Sequence, residues 1–591
     1  MFGAAATFPT PTTGHGAATT RYAVLREDGE VGDDGEAPSV SGALADDADD
    51  APDPFWDEAR GQLSLALPVS LSMVCNRVMS LTSVAFVGHL GALPLAAAAL
   101  ATTLGNVTGN SIMVGMASAS STIGGQAFGA KRYATLGAVM QRCILILTVA
   151  AVPVAATWTN AEAVLLRLGQ DPDIARLSGV YMRCLIPGLF FYAWNISTQA
   201  YMQSQRITKP SAVAGVVAAA AHVPMNYLFI HTFGWGYAGA GLATSWSNGV
   251  VLCVNVVYLC HFKDRDARRV SVLEVTNVDD APSGDDDAAA RVSSRTWTGW
   301  SLRDATSEWL PFLRLALPGV LMMAEWWASE LNILIAGWLP DPERNVAAVS
   351  IFQITNALAF MLPIGFSVAA LTRASNELGA GRARRAEFAS DVAFAMILAV
   401  ECVVSVVILL VKDAWARLYT ADEAVVSLVS KLLVPLAVYT AFDGALCVAT
   451  GAIKACGKQW VAGPVVLFAY YVVGIPLAYY LAFTRRQGAM GLAIGATVGT
   501  MIHAAIIIAA VRRTDWPLEA RRAAERVGAG ADGPGRSKDA KDEENGKGGK
   551  RSAPRARDER HGETLLPPIA EVELCEAAAP KDGRAAEKET T

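Results

Sequence analysis

Two acids, Glu325 and Glu330, stand in the stretch 315–331, LALPGVLMMAEWWASEL, beside the tandem Trp326 and Trp327. The run is apolar and long enough to cross a bilayer, where an acid costs roughly 2.5–3.5 kcal/mol even on lenient insertion scales. An acid is kept at that depth where it faces a cavity or a partner. Shielded from water, its carboxyl can take up a proton on one side of a membrane and release it on the other. Five residues of helix turn about 500°, so the two acids point about 140° apart. One is expected to line a pathway and the other to meet a neighbouring helix. Adjacent tryptophans point about 100° apart, so at most one lines the same pathway. A desolvated cation–π contact there is worth about 2 kcal/mol.

Other polar residues fall inside apolar runs. Asp443 is the only acid of its span; next to Glu325 it would share or relay a proton, since nearby carboxyls resist losing both protons. Arg77, mid-span in the first apolar run, either neutralises a pocket acid, contacts an anionic solute, or reaches into a wet cleft. Gln353, Asn195, Tyr192, Gln199, Asn226 and Tyr439 complete the candidate pocket residues. For Tyr192, Gln199, Asn226 and Tyr439, helix–helix hydrogen bonding or packing is the stronger reading. Glu401 matches no motif and reads first as a partner for another helix, and His222 and His503 read first as satisfied structural groups.

These residues must be positioned by membrane helices. Of 591 residues, 52% are hydrophobic and only 18% charged, and the charge crowds into the two ends and one central stretch. Apolar spans recur at about 62–87, 93–120, 137–157, 178–200, 211–231 and 237–260, then at about 311–339, 346–371, 388–411, 430–453, 460–483 and 488–511. The expected class is an all-α membrane protein of about twelve spans. Residues 1–58 and 513–591 read as disordered tails and 261–310 as a cytoplasmic linker between lobes 59–260 and 311–512. Lys131, Arg132, Arg206, Lys209, Arg382, Arg384, Arg385, Lys454 and Lys458 outweigh the basic residues of the opposite loops, which places both termini in the cytoplasm.

The net charge of −6 comes mostly from the tails, and no basic stripe interleaved with aromatics points to nucleic acid. Nine scattered cysteines form neither a disulfide framework nor a metal cluster, and no metal or cofactor is expected. The glycine-rich segments near 124–130 and 375–381 are not phosphate loops. No constellation of catalytic side chains stands apart from the intramembrane set, so the chain is not expected to be an enzyme.

An internal repeat sets the architecture. Leu65-Ala66-Leu67-Pro68 returns as Leu315-Ala316-Leu317-Pro318, Gly115 as Gly365, Gly129-Ala130 as Gly379-Ala380, and Gly241-Leu242-Ala243 as Gly491-Leu492-Ala493, each 250 residues on. Six spans per half give the repeats the same orientation, with a pseudo-two-fold along the membrane normal and a solute site between the lobes.

Gly88-His89-Leu90-Gly91, Gly124-Gly125-Gln126-Ala127-Phe128-Gly129-Ala130, Glu325-Trp326-Trp327 with Glu330, and Ser375-Asn376-Glu377-Leu378-Gly379-Ala380-Gly381 occur in order along the spans. In these motifs, over about residues 60–512, the chain resembles the eukaryotic multidrug and toxic compound extrusion (MATE) family. The resemblance implies a twelve-helix, two-lobed antiporter that expels organic solutes, usually against protons. It also implies cation coupling and solute binding at Glu325 and Glu330, and an acid of the tenth helix at Asp443. Gln353 departs from animal members that carry an acid there, so the pocket is expected to be less negative. Pairing Pro187 with Pro435 puts Asn195 opposite Asp443, so proton handling belongs to the second lobe. Organic cations or drug-like compounds are the first expectation for cargo. Organic anions such as carboxylates or phenolic conjugates follow if Arg77 faces the cavity, and a lipid-linked precursor flippase is a distant third. Sodium remains an alternative to the proton, because a carboxylate with backbone oxygens can hold either. The protein is expected to act as a monomer in a plasma or organelle membrane.

Overall fold

The computed structural model describes residues 50–261, 296–297 and 299–528. Most of the two tails expected to be disordered, and most of the expected linker, fall outside them. The first half holds α1 (Phe55–Gly88), α2 (Ala92–Gly105), α3 (Ser111–Gly129), α4 (Tyr133–Thr159), α5 (Ala161–Arg167), α6 (Pro172–Ser204), α7 (Lys209–Tyr227) and α8 (Gly236–His261). After the short α9 (Leu302–Thr306) come α10 (Trp309–Leu321), α11 (Ala324–Ala336), α12 (Pro342–Ala359), α13 (Met361–Gly379), α14 (Ala383–Arg417), α15 (Glu423–Ala455), α16 (Gln459–Val466), α17 (Ile475–Tyr479), α18 (Ala489–Arg512) and α19 (Trp516–Gly528). π-helical turns join α2 to α3 at Asn106–Asn110 and α16 to α17 at Leu467–Gly474.

Among the described residues, eleven helical segments are long and apolar enough to cross a membrane. The twelfth crossing is the pair α10–α11, a helix broken at Met322 and Met323. Pro318 lacks the N–H that would continue the ladder. One turn later Met323 N–H bonds to the carbonyl of Val320 and Trp326 N–H to that of Met323, a tighter i to i−3 pattern. The outer faces suit lipid: Val403, Val406 and Leu410 of α14 are exposed.

Each half has its own core. Met113, Leu147, Met182 and Leu189 anchor the first, which also takes in Phe312 and Ala316 of α10. Val349, Leu432, Leu436 and Leu492 anchor the second. Between the halves, packing is tightest at the end of the molecule where α1 begins, and glycines make it possible. A Cβ on Gly129 would run into the carbonyl of Asn376, and one on Gly379 into the carbonyl of Gln126. Gly125 lies on Ser375, Gly115 on Val320, and Gly365 on Ser70. Adding 250 to one member of each pair returns the other pair or the same one. The pseudo-two-fold therefore passes between α3 and α13, as the repeat predicts.

Charges lock the same end. Glu58 of α1 forms an ion pair with Arg373 of α13, with a second bond at 3.0 Å from Arg373 Nε. Arg206 reaches Glu377 of α13 at 3.1 Å. Leaving water holds the Arg206 guanidinium below its ordinary value, and Arg373 nearby adds to this, with Glu377 and Glu58 opposing.

Part of the stretch assigned to an exposed linker and part of the tail expected to be disordered pack against the helices instead. Residues 299–308 lie on α4, where Gln141 Nε2 donates to the carbonyl of Gly299 at 2.7 Å and Arg142 meets Glu308 at 3.1 Å. α19 falls within 513–591, and its apolar face explains its order: Trp516, Ala520, Ala523 and Val527 are buried at helical spacing. Glu519, 1% exposed, pairs with Lys458 at 3.2 Å, Arg522 at 2.7 Å and Arg526 at 3.4 Å. Arg526 also donates to Gln126 Oε1 of the first half, and Arg132 Nη1 donates to the carbonyl of Val527.

Candidate functional site: an acid cluster at the broken helix

The break before Ala324 frees backbone and turns Glu325 inward. Neighbouring tyrosines of the π turn Leu467–Gly474 receive both: Tyr471 Oη donates to the carbonyl of Ala324 at 2.9 Å, and Tyr470 Oη donates to Glu325 Oε1 at 2.6 Å. Widening of a helix by a π turn is a common device at functional positions. Tyr470 Oη also lies 2.9 Å from Thr500 Oγ1, and its ring meets that of His503 edge-on at 5.6 Å. His503 Nδ1 is 3.7 Å from Glu325 Oε2.

Asp443 of α15 is buried and within electrostatic reach of Glu325 and of Glu401. Tyr439, one turn earlier, lies near both Asp443 and Glu325 and approaches Thr500 and Asn356. A small pocket opens beside this cluster, lined by Ser329, Asn332, Phe352, Gln353, Tyr439 and Tyr470 among others. Gln353 faces the broken helix through a 3.2 Å bond from Nε2 to the carbonyl of Ser329. The second half thus brings Glu325, Asp443, Tyr439 and Gln353 into one cluster.

The remaining candidates lie elsewhere. Trp327 Nε1 donates to Ser111 Oγ of α3 at 3.1 Å, so this ring bridges the halves, while Trp326 is 38% exposed. Glu330 faces Thr103 and is within electrostatic reach of Arg77. Arg77 itself senses Glu330 and Tyr419, and its Nε has no hydrogen-bond partner. In the first half, Asn195 Oδ1 accepts from Asn255 Nδ2 at 2.9 Å and Asn226 Nδ2 donates to the carbonyl of His222 at 2.9 Å. Tyr192 packs against the core there and Gln199 is buried. His222 bridges Ser83 and Ser247, as a structural group does.

Chemically, the cluster offers two carboxyls near each other, shielded from water and reached by a hydroxyl chain of Tyr470 and Thr500. That arrangement suits proton or cation exchange. Among the described residues no group of His, Cys, Asp and Glu could hold a metal ion. Tyr470, Tyr471 and Thr500 were not among the residues the sequence singled out, and His503, read there as a structural group, lies beside them. Two Tyr-Tyr pairs, 470–471 and 479–480, in an otherwise apolar span were the available signal, but nothing in spacing says which pair meets Glu325.

The family model MatE matches this chain twice, over residues 68–228 and 319–480, once in each half. The chain belongs to the MATE family of membrane transporters. Its repeats are thus two copies of one family unit. It is 36% identical over 476 residues to "Protein DETOXIFICATION 16" of Arabidopsis thaliana, covering 80% of this chain and 91% of that one. With "Multidrug and toxin extrusion protein 1" of Danio rerio it shares 33% over 470 residues, 79% of this chain and 74% of the other. The structure described as "Crystal structure of eukaryotic MATE transporter AtDTX14" superposes with a TM-score of 0.72 at 28% identity, over 80% of this chain and all of that one. A transporter from Pyrococcus furiosus at 19% identity shares the fold, with a TM-score of 0.66. The MATE fold of twelve helices in two lobes is therefore the fold of this protein, a multi-pass integral membrane protein.

Proposed function

We propose that this MATE transporter exports small organic solutes, organic cations or drug-like compounds first, in exchange for protons. The observation that carries this reading is the Glu325 carboxyl at the helix break, held by Tyr470 and within electrostatic reach of Asp443. With both termini cytoplasmic, the tightly packed end is the cytoplasmic one, and coupling protons reach the cluster from the opposite side. A proton taken up by Glu325 or Asp443 displaces the solute outward. Loss of that proton after the cytoplasmic end opens readies the pocket for the next solute. A proton moving down about 100 mV supplies roughly 2.3 kcal/mol before any pH contribution.

Export of organic anions is the second reading, because Arg77 is a cation at membrane depth with an unbonded Nε. Glu330 lies within its reach and offsets its charge, which favours the cation reading. Efflux of a preloaded fluorescent organic cation from proteoliposomes under an imposed pH gradient tests both, with wild type, Glu325→Gln and Arg77→Ala. Gradient-dependent efflux lost in Glu325→Gln supports proton antiport. Efflux that follows a sodium gradient and ignores pH replaces the proton by sodium. A wild type that ignores the cation but exports an anionic solute, and fails to with Arg77→Ala, moves the substrate class to anions.

A further inference from the structure

The acid cluster extends one helix further than the proposed mechanism uses. Glu401 sits at the middle of α14, 1% exposed, and neither of its carboxyl oxygens has a hydrogen-bond partner. Its side chain lies flat on Gly444 of α15, the residue next to Asp443. A Cβ at 444 would run into Glu401 Cγ and come within 3.0 Å of Cδ and 3.1 Å of Oε1, so any other residue there displaces the Glu401 side chain. One turn before it on α14, Ile397 belongs to an apolar cluster with Leu65 and Ala66 of α1 and Phe366 and Ala369 of α13. Of the charged groups on those helices, Glu58, Arg373 and Glu377 are engaged at the closed end in ion pairs of their own, Arg60 pairs with Asp57, and Arg77 faces Glu330 and Tyr419. Asp391 and Arg512 pair with each other there as well. Asp443 is the ionisable group within electrostatic reach of Glu401, and Glu325 stands next along the same line.

An ionised carboxyl with no donor on either oxygen is not sustained in such a place unless a neighbouring group, by taking up a proton, offers it a donor. Packing alone would be served as well by Gln or Met.

We propose that Glu401 is a third proton-carrying acid of the second half, exchanging a proton with Asp443 across the face of Gly444. The transfer moves the proton from the Glu401 carboxyl to an ionised Asp443, leaving Glu401 ionised and Asp443 neutral. The reverse transfer restores the starting state, and the charge of the pair is unchanged throughout. Glu401 acts through Asp443 and touches no solute. The inference rests on the proton coupling proposed above.

The test counts protons. Full-length protein in proteoliposomes containing a trapped pH-sensitive dye is given an organic cation, and protons moved per solute are measured across a range of pH. The wild type is compared with Glu401→Gln, Glu401→Asp and Gly444→Ala, and solute binding is followed separately by tryptophan fluorescence. Glu401→Gln is expected to bind solute as the wild type does, to move at least twofold fewer protons per solute, and to have a displaced pH profile. Glu401→Asp restores part of the profile. Gly444→Ala, which pushes Glu401 away while leaving every carboxyl in the chain, reproduces the Gln variant. A wild-type pH profile and proton count in both Glu401→Gln and Gly444→Ala overturn the role of Glu401 alone. A wild type that moves solute with no protons overturns the coupling reading and this inference together.

Discussion

At the scale of single residues, the bond from Tyr470 to Glu325 decides how the coupling acid is presented. A hydrogen bond to a charged group is worth about 1.5–3 kcal/mol, so Tyr470→Phe is expected to slow gradient-driven efflux roughly tenfold or more. Transport assays on that variant check it, with circular dichroism confirming the fold. Trp326→Ala, at an exposed position, is expected to change the rate less than about twofold in the same assay, whereas Trp327→Ala removes a ring that bridges the halves. Glu325 and Asp443 were legible in the sequence because an acid in an apolar run is conspicuous whatever surrounds it. Their partners were not. Tyr470 is 145 positions from Glu325, and hydropathy records that a residue lies in a span without recording which span it faces.

At the scale of elements, α19 and the crossing of α3 with α13 govern the closed end. Cys456 lies under α19, with its carbonyl held by Arg526 at 2.7 Å. Loss of water pushes its thiol up to about 12, with Glu519 adding to the effect, so the thiol stays protonated and unreactive while the helix is docked. Glu519→Gln strips the partner from Lys458 and Arg526, and breaking a buried ion pair costs about 3–5 kcal/mol. Released from burial, the thiol falls back toward its ordinary value and gains thiolate. Alkylation at Cys456, mapped by peptide mass at mildly alkaline pH, is expected to quicken at least about tenfold in Glu519→Gln or in a chain ended after Arg513. A rate equal to wild type would mean that α19 does not guard this end. The amphipathic spacing of Trp516, Ala520, Ala523 and Val527 was present in the sequence but hidden by the charged stretch that follows. The break of the seventh crossing hid for the opposite reason: Pro318 is common in membrane helices, and only the packing around it shows where the ladder gives way.

At the scale of the whole molecule, alternating access requires that the faces meeting at the closed end come apart. Gly125→Cys with Ser375→Cys places two thiols where the helices already touch. The pair is expected to oxidise readily after a shift of about an ångström and to stop transport until reductant is added. Full activity after complete oxidation would show that this end need not open. Gly129→Ala and Gly379→Ala, related by the repeat, are expected to weaken closure to a similar degree, read as similar gains in Cys456 alkylation. The twelve-span architecture and the axis were legible because both follow from apolar length and a fixed offset of 250. The inequality of the halves was legible only in part, through Asp443 set against Asn195. Contacts that map onto themselves under that offset are of the kind an isologous homodimer makes, each copy presenting the same patch to the other. A single six-helix unit meeting its twin would already own this seal, with no fused partner. On that view the join between the halves contributed nothing to closing the molecule. It gave the second copy freedom to gain acids that the first never had to carry.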